Sequence, residues 1–440
     1  MATPIFSPYL CSMNYSETID YLFNQLPMYQ RIGKAAYKAD LNVTIDLLNI
    51  LDNPQKKFRS IHIAGTNGKG SVSHIIASVL QSAGIKTGLY TSPHLRDFRE
   101  RIRVNGKKIE EDYVVDFVEK NKSDFEIIQP SFFEMTVGMA FQYFVDENVD
   151  IAVVEVGMGG RLDSTNLLNP ELSVITNIGL DHTQFLGNTI RKIAKEKAEI
   201  IKKNTPIVIG ETQAQIKNIY TEKAKDKKSK IYFADEHFEI KKLQTLNNDF
   251  NVFDVWKDNE IFIENLKLPL LGDYQIKNLK SSLQALDLIK EKFDLSNIII
   301  SDGIEKVKTN TGILGRWEIL NKCPLTICDT AHNIDGVTSI ISQISKMVFD
   351  KLHFVIGVVN DKNIDSIFQI LPKNAIYYFC KADIPRGLNQ EELKNIAFKY
   401  GLSGKSFSSV RKAFETATNN AGINDLVFVG GSTFVVAEIV

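Results

Sequence analysis

The chain has 440 residues, 44% of them hydrophobic, and a formal net charge of −1. That length exceeds one typical domain and makes two the expectation, each with a sizeable core. A charge near zero gives no electrostatic case for nucleic acid or an anionic membrane surface, and no apolar run approaches the length that spans a bilayer.

The four cysteines, Cys11, Cys323, Cys328 and Cys380, have no paired spacing of the kind that marks a zinc site or a disulfide framework. The N-terminus has apolar residues but no basic start leading into an apolar run, so a signal peptide is not expected. These features suit a cytoplasmic, monomeric enzyme. Residues 1–13 read as a loose leader. From Tyr15 the apolar residues Ile19, Leu22, Phe23 and Leu26 recur at helical spacing, with Ser16 as a candidate cap. A second helix is predicted through Leu41–Leu48.

The first strand, Ser60 to Ala64, runs into Gly65-Thr66-Asn67-Gly68-Lys69-Gly70-Ser71, and an amphipathic helix follows at once, ending near Gly84. Glycines let a backbone wrap a polyphosphate with its N–H groups, and a helix N-terminus adds a favourable dipole. Lys69 then supplies a point charge for the terminal phosphates and the Ser71 hydroxyl a ligand for Mg²⁺. The match to the general phosphate-loop pattern is imperfect, because Gly70 separates Lys69 from Ser71.

This segment resembles the ATP loop of the Mur ligase superfamily. The folate branch, folylpolyglutamate synthase and dihydrofolate synthase, reads Gly-Thr-Asn-Gly-Lys-Gly-Ser, whereas the cell-wall ligases usually lack the glycine after the lysine. The resemblance implies a mostly parallel α/β sheet domain of the phosphate-loop type with helices on both faces. A smaller Rossmann-like α/β domain follows it, with units at 1–309 and 310–440.

Further along, a strand is predicted at Lys86–Tyr90, and Thr91-Ser92-Pro93-His94-Leu95 is similar to the segment that follows the second strand in the folate ligases. Arg99, Arg101 and Arg103 share one phase, as on a strand with one basic face. A solvated edge strand and an anion-binding role both fit that pattern. Ser131 to Thr136 opens a helix, with Ser131 as cap and Glu134 completing a capping box. From the residues alone Phe132 and Phe133 read as core. The resemblance makes this a segment that contacts the pterin acid, with Phe133 and Thr136 as substrate-binding residues.

Ile151–Gly157 is a buried-strand run that carries one carboxylate, Glu155, and a buried acid is costly without a partner or metal. Another strand, Leu172–Asn177, leads to Asp181 and His182. In an open parallel sheet ligand groups gather at the carboxyl ends of strands, where Ser71, Glu155 and His182 all fall. Hydroxyl and carboxylate suit Mg²⁺ well and imidazole less so. The resemblance supplies the same three as magnesium ligands. In the helix from Ile190 to Ile201 it makes Lys197 a carbamylated lysine that helps hold a second magnesium, although Glu199 stands where the family usually has glycine.

A strand at Pro206–Gly210 and a helix from Gln213 follow. A polar stretch near 235–265 reads as short strands with turns, and a helix ends near Leu288. By resemblance, Asn278 lies near the nucleotide, Arg316 reaches the triphosphate, Asp329 the ribose and His332 the reaction centre. Thr309–Gly312 is turn-rich and marks the expected boundary. Ile334 replaces the family's proline after Asp329-Thr330-Ala331-His332-Asn333. Strands at Phe354–Val359, Ala375–Phe379 and Leu426–Val429 alternate with helices. Ser432 heads the last one, a place that suits a substrate carboxylate.

The motifs fall in family order over nearly the whole chain. The reaction they imply is ATP-dependent addition of L-glutamate to dihydropteroate or folates through an acyl phosphate, with ATP and Mg²⁺ as cofactors. A cell-wall amino-acid ligase, a small-molecule kinase and a non-catalytic nucleotide-binding protein are the alternatives. The first would lack the Gly70 insertion, the second would show a standard phosphate loop, and the third would tolerate loss of Glu155 and His182.

Overall fold

The computed structural model describes residues 13–26, 40–360 and 364–440. The leader expected before Met13, and Cys11 with it, lie outside the described residues. Two helices come first, α1 (Tyr15–Gln25) and α2 (Asn42–Ile50). The α1 cap is Asn14 rather than Ser16. Its side chain accepts from the Glu17 amide at 2.9 Å while Glu17 accepts from the Asn14 amide at 2.8 Å, a reciprocal box that places Ser16 inside the helix.

The first sheet comprises β1 (Ser60–Ala64), β2 (Thr87–Tyr90), β3 (Ile102–Val104), β4 (Lys107–Lys108), β5 (Ile151–Glu155), β6 (Leu172–Ile175), β7 (Ile207–Ile209) and β8 (Ile231–Phe233). Their order is β4-β3-β2-β5-β1-β6-β7-β8, parallel from β2 to β8 with β3 and β4 antiparallel at one end. Its helices are α3 (Lys69–Ser82), α4 (Glu111–Ile128), α5 (Phe132–Asp146), α6 (Ile190–Ala198) and α7 (Lys217–Asp226). One core joins α3 to Ile61, Ile63, Val153 and Val174 of the sheet, and another joins α5 to Ala152 and Val154. Successive strand residues therefore feed opposite cores, so both faces are covered. The helix α3, read as amphipathic, is buried without a break from Ser71 to Leu80. Beyond the sheet it meets α8 (Gln275–Ile289) and α9 (Asn297–Glu305), which cover its second face.

The stretch read as short strands is a three-stranded antiparallel sheet of β9 (Phe238–Leu246), β10 (Phe250–Lys257) and β11 (Glu260–Leu268). Phe253, Val255, Leu266 and Leu268 pack it on the core around α3, and the exposed polar residues of β9 made its strands look short in the sequence. Thr309–Thr311, read as turn, closes a one-turn helix, Val307–Thr311, and the reversal comes at Gly312.

The last sheet contains β12 (Glu318–Lys322), β13 (Leu325–Cys328), β14 (Leu352–Ile356), β15 (Ile376–Cys380), β16 (Gly404–Phe407) and β17 (Leu426–Gly430). The order is β12-β13-β17-β14-β15-β16, parallel except for β12. Helices α10 (Ile334–Ile344), α11 (Gln390–Phe398) and α12 (Val410–Asn420) flank it. Cys328, expected with Cys323 to fill the core beside a strand, is buried there as a free thiol, as is Cys380, whereas Cys323 lies just before β13 and is exposed. No helix among the described residues is long and apolar enough to cross a membrane.

Candidate active site

A cavity of about 520 Å³ opens between the first and last sheets, at the carboxyl ends of their strands. The whole Gly65–Ser71 loop lines it, with Glu155, His182, Lys197, Asn278, Arg316, Asp329 and His332. Phe133, Thr136 and Ser432 do not. The Phe133 ring lies behind the cavity wall, where a Cβ on Gly157 would come within 2.4 Å of it. Thr136 is fully buried and its hydroxyl donates to the Phe132 carbonyl at 2.7 Å. Ser432 uses its hydroxyl to cap the one-turn helix Thr433–Ala437, accepting from the Phe434 amide at 3.2 Å, and Thr433 lines the cavity instead.

The loop is held from several sides. Gly65 has φ 151°, and a Cβ there would stand 1.8 Å from the Thr176 hydroxyl oxygen, so no other residue fits. Gly68 has φ 86° and turns the chain into α3, with the Asn278 side chain filling the space beside it. The Thr66 amide donates to the Asn177 carbonyl and the Asn67 amide to the Asn177 side chain, both at 2.9 Å. From α8, Asn278 donates to Gln275 at 2.7 Å and Gln275 to the Ser71 hydroxyl at 3.2 Å. Asn278 is 5% exposed, so it braces the loop rather than sitting on a free helix face.

Two lysines converge on the same backbone. Lys69 donates to the carbonyls of Gly65 and Thr66 at 3.1 and 3.2 Å, and Lys197 donates to that of Gly65 at 2.8 Å. Burial, with Lys69 nearby, pushes the Lys197 amine down to about 7, against the attraction of Asp181 and Asp163. Its neighbours on α6 are outward ion pairs, Glu196 with Arg161 and Glu199 with Lys223, so the charged pattern hid one inward lysine.

Glu155 ends β5 with 4% exposure. Burial raises its pKa, while Lys69, the Ser92 amide at 3.3 Å and Arg316 oppose that rise. Asp329 accepts from the Tyr274 hydroxyl at 2.5 Å and the amides of Trp317 and Ala331 at 2.7 and 2.8 Å. Burial raises its pKa too, with Arg316 opposing. His332 directs Nδ1–H to the Thr330 carbonyl at 3.0 Å and Nε2 toward Asp181 at 3.3 Å.

The seam between the units has its own bonds. Asn67 and Asn333 exchange two side-chain amide bonds, at 3.2 and 2.9 Å, and Asn333 also reaches Asp181 at 3.2 Å. Asn333 caps α10 as well, accepting from the Gly336 amide at 3.0 Å, so Ile334 leaves helix entry intact. Asp181, Asn333, Tyr274 and Gln275 carry much of this geometry. Gln275 and Asn333 belong to segments that match the family, whereas Asp181 and Tyr274 were marked in the sequence only by lying near His182 and Gln275.

Among the described residues no three His, Cys, Asp or Glu side chains gather as a metal cluster. The three ligands implied by the resemblance, the Glu155 carboxylate, the Ser71 hydroxyl and the His182 imidazole, all line the cavity, and Asp181 lines it beside His182. A carboxylate and a hydroxyl beside a phosphate loop fit a hard divalent cation that takes its remaining ligands from phosphate and water.

Residues 63–286 match the Mur ligase middle domain, and residues 315–433 match the Mur ligase glutamate ligase domain. A Bacillus subtilis dihydrofolate synthase/folylpolyglutamate synthase is 32% identical over 92% of this chain and 95% of its own. The chain belongs to the folate branch of the Mur ligase family. This ligase is 32% identical to a probable bifunctional folylpolyglutamate synthase/dihydropteroate synthase of Haloferax volcanii over 97% of the chain, which spans 50% of that longer protein. An Escherichia coli protein solved with DHPP and ADP superposes with a TM-score of 0.84 at 28% identity, covering 97% of each chain. A Mycobacterium tuberculosis folylpolyglutamate synthase solved with ADP and AMPPCP gives 0.85 at 28% identity, covering 96% of this chain and 97% of that one. The folate-branch ligases are ATP-dependent, amide-forming enzymes, and the fold expected from the loop is the one observed.

Proposed function

We propose that this ligase joins L-glutamate to dihydropteroate, to folates, or to both, at the cost of ATP. The observation that carries this reading is one cavity lined by the phosphate loop on one side and by Arg316, Asp329 and His332 on the other. A carboxylate does not react with an amine unaided, because its oxygen leaves poorly. Transfer of the γ-phosphoryl group of ATP to the acceptor carboxylate gives an acyl phosphate. The α-amine of glutamate then attacks, the C–N bond forms and phosphate departs.

Lys69 and Arg316 are the cations we assign to the charge that develops during phosphoryl transfer. On binding phosphate, Lys69 exchanges two loop carbonyls for a stronger, charge-assisted partner. His332, oriented by Thr330 and Asp181, is the group assigned to accept the proton of the incoming ammonium. Ser71, Glu155 and His182 would hold Mg²⁺, and Lys197, if carbamylated, would help hold a second ion. Such ions neutralise charge on the transferring phosphoryl group. An amine held down to about 7 is in part free base at neutral pH, the form that adds to carbon dioxide.

Two units, 1–309 and 310–440, are the proposed division, with the cavity complete within a single chain and the enzyme a cytoplasmic monomer. The decisive assay supplies purified protein with ATP, Mg²⁺ and labelled L-glutamate, offering dihydropteroate and tetrahydrofolate separately. Labelled amide from either acceptor is expected. ADP release without amide would favour a kinase, and neither product would end the folate assignment.

A further inference from the structure

Three in-phase arginines were left open by the sequence, and the structure treats them differently. Arg99 pairs with Asp97 and Glu111 at 2.9 and 3.1 Å. Arg101 is buried, donates to His94 Nδ1 at 2.7 Å and lies over the Phe132 ring at 5.2 Å. Both are therefore satisfied locally. Arg103 is not. It is 8% exposed, faces the active-site cavity from β3, and has no carboxylate within ion-pair distance among the described residues. Its Nε is buried without a partner, and Nη1 makes only a 3.5 Å contact to the Gly106 carbonyl.

The acids that attract it, Glu100 and Asp97, make no ion pair with it. Both oxygens of Glu100 accept from the amides of Leu95, Arg96 and Asp97, at 2.7, 3.2 and 3.1 Å, and Asp97 pairs with Arg99 and Lys108 at 2.9 Å each. One turn along α3 from the phosphate loop, His74 faces the same cavity at 6% exposure, and its Nδ1 is also buried without a partner. Burial, with Arg103 and Arg316 nearby, holds this imidazole down at about 3, so it is a neutral ring that can donate one N–H. A buried guanidinium is ordinarily paired, because an uncompensated charge is costly in a poorly solvated wall. This one lies at the seam, where a Cβ on Gly312 would stand 3.3 Å from Nη1.

We propose that Arg103, with His74 beside it, is an anchor for a non-reacting carboxylate of a glutamate unit. This rests on the ligase reading above. Lys69 and Arg316 already serve the triphosphate, and the planar guanidinium fork matches a carboxylate with two parallel hydrogen bonds. Among the reactants, carboxylates that take no part in bond making belong to incoming L-glutamate and to the glutamyl tail of a folate acceptor. Dihydropteroate has only its reacting carboxylate, which separates the two sources.

The test measures KM for L-glutamate, ATP and each acceptor in Arg103→Gln, Arg103→Lys and His74→Gln, with dihydropteroate or tetrahydrofolate as acceptor. For Arg103→Gln the expected result is a KM for L-glutamate raised about tenfold or more with both acceptors, ATP KM staying within about twofold. Arg103→Lys should fall between, since it keeps charge but loses the fork. A rise confined to tetrahydrofolate would assign the anchor to the acceptor tail and still support a carboxylate site. A rise in ATP KM alone, or unchanged constants throughout, would overturn it. Should Arg103→Gln fail to fold, Arg103→Lys and His74→Gln decide by the same criteria. Wild-type protein that forms no amide refutes the ligase reading, whereas active wild type with unaltered variants refutes this anchor alone.

Discussion

The loop after β1 and the segment after β13 have the same local design, a parallel strand running into a helix at the sheet's carboxyl edge. They are held in opposite ways. Gly65–Ser71 is braced within its own unit, by Thr176, Asn177, Lys197 and the Gln275–Asn278 pair. Asp329–Asn333 takes much of its support from the other unit, with Tyr274 on Asp329, Asp181 against His332, and Asn67 on Asn333. The proposed role of His332 would therefore depend on contacts made from outside its own sheet, whereas that of Lys69 would not.

The sharpest challenge to this contrast is Lys69→Met. Loss of a fixed cation at developing charge should lower kcat by about 10²–10³ while leaving the unfolding midpoint near wild type. A kcat within a few-fold of wild type would remove the loop from catalysis. Next comes the internal bracing of the loop. Gly65→Ala should cost about 1–3 kcal/mol in urea unfolding, because the added Cβ meets Thr176 and finds a disfavoured backbone. A neutral result would mean that the loop is looser than its bonds imply.

The seam should respond in activity more than in stability. In a double-mutant cycle of Asn67→Ala and Asn333→Ser, where serine keeps a cap on α10, each single change should lower kcat/KM roughly tenfold, with coupling of about 1 kcal/mol. Fully additive losses would show that the amide pair couples nothing. A further prediction concerns the pH dependence set by Lys197. Its folded value, about 7, lies below the ordinary 10.5, so the unfolded chain holds the extra proton between them. Stability therefore rises as pH climbs through that window, and the penalty is complete below about pH 7. Lys197→Met should flatten this part of the profile in buffers free of carbon dioxide, read as urea midpoints at several pH values. An unchanged slope would place the amine in solvent.

Legibility followed the range over which each feature is specified. Strands β1, β2, β5, β6, β13 and β17 announced themselves because they are buried on both faces almost throughout and carry mainly apolar residues, broken by single polar ones such as Ser173 and Glu155. The strands β8, β12 and β16 did not, being short or half-exposed at sheet ends. Phe133 and Thr136 were matched to a substrate wall by resemblance, yet their own character, aromatic and small within an apolar helix, already suited the places they occupy, partly buried against the core for Phe133 and fully buried for Thr136. The arginine series shows the same limit, since one phase along the chain produced three unlike environments.

Taken by itself, the amino-acid order determined the phosphate loop, the two parallel α/β sheets and the carboxyl-edge positions of Glu155, His182 and His332. Each depends on backbone demands and apolar periodicity within a dozen or so neighbouring residues. Tertiary structure alone decided that Asn67 meets Asn333 across 266 residues of chain, that Asp181 faces His332, and that Arg103 enters the cavity unpaired. Such pairings arise where two independently packed surfaces come together, and no local pattern of hydrophobic spacing records which polar side chains will then be opposite one another.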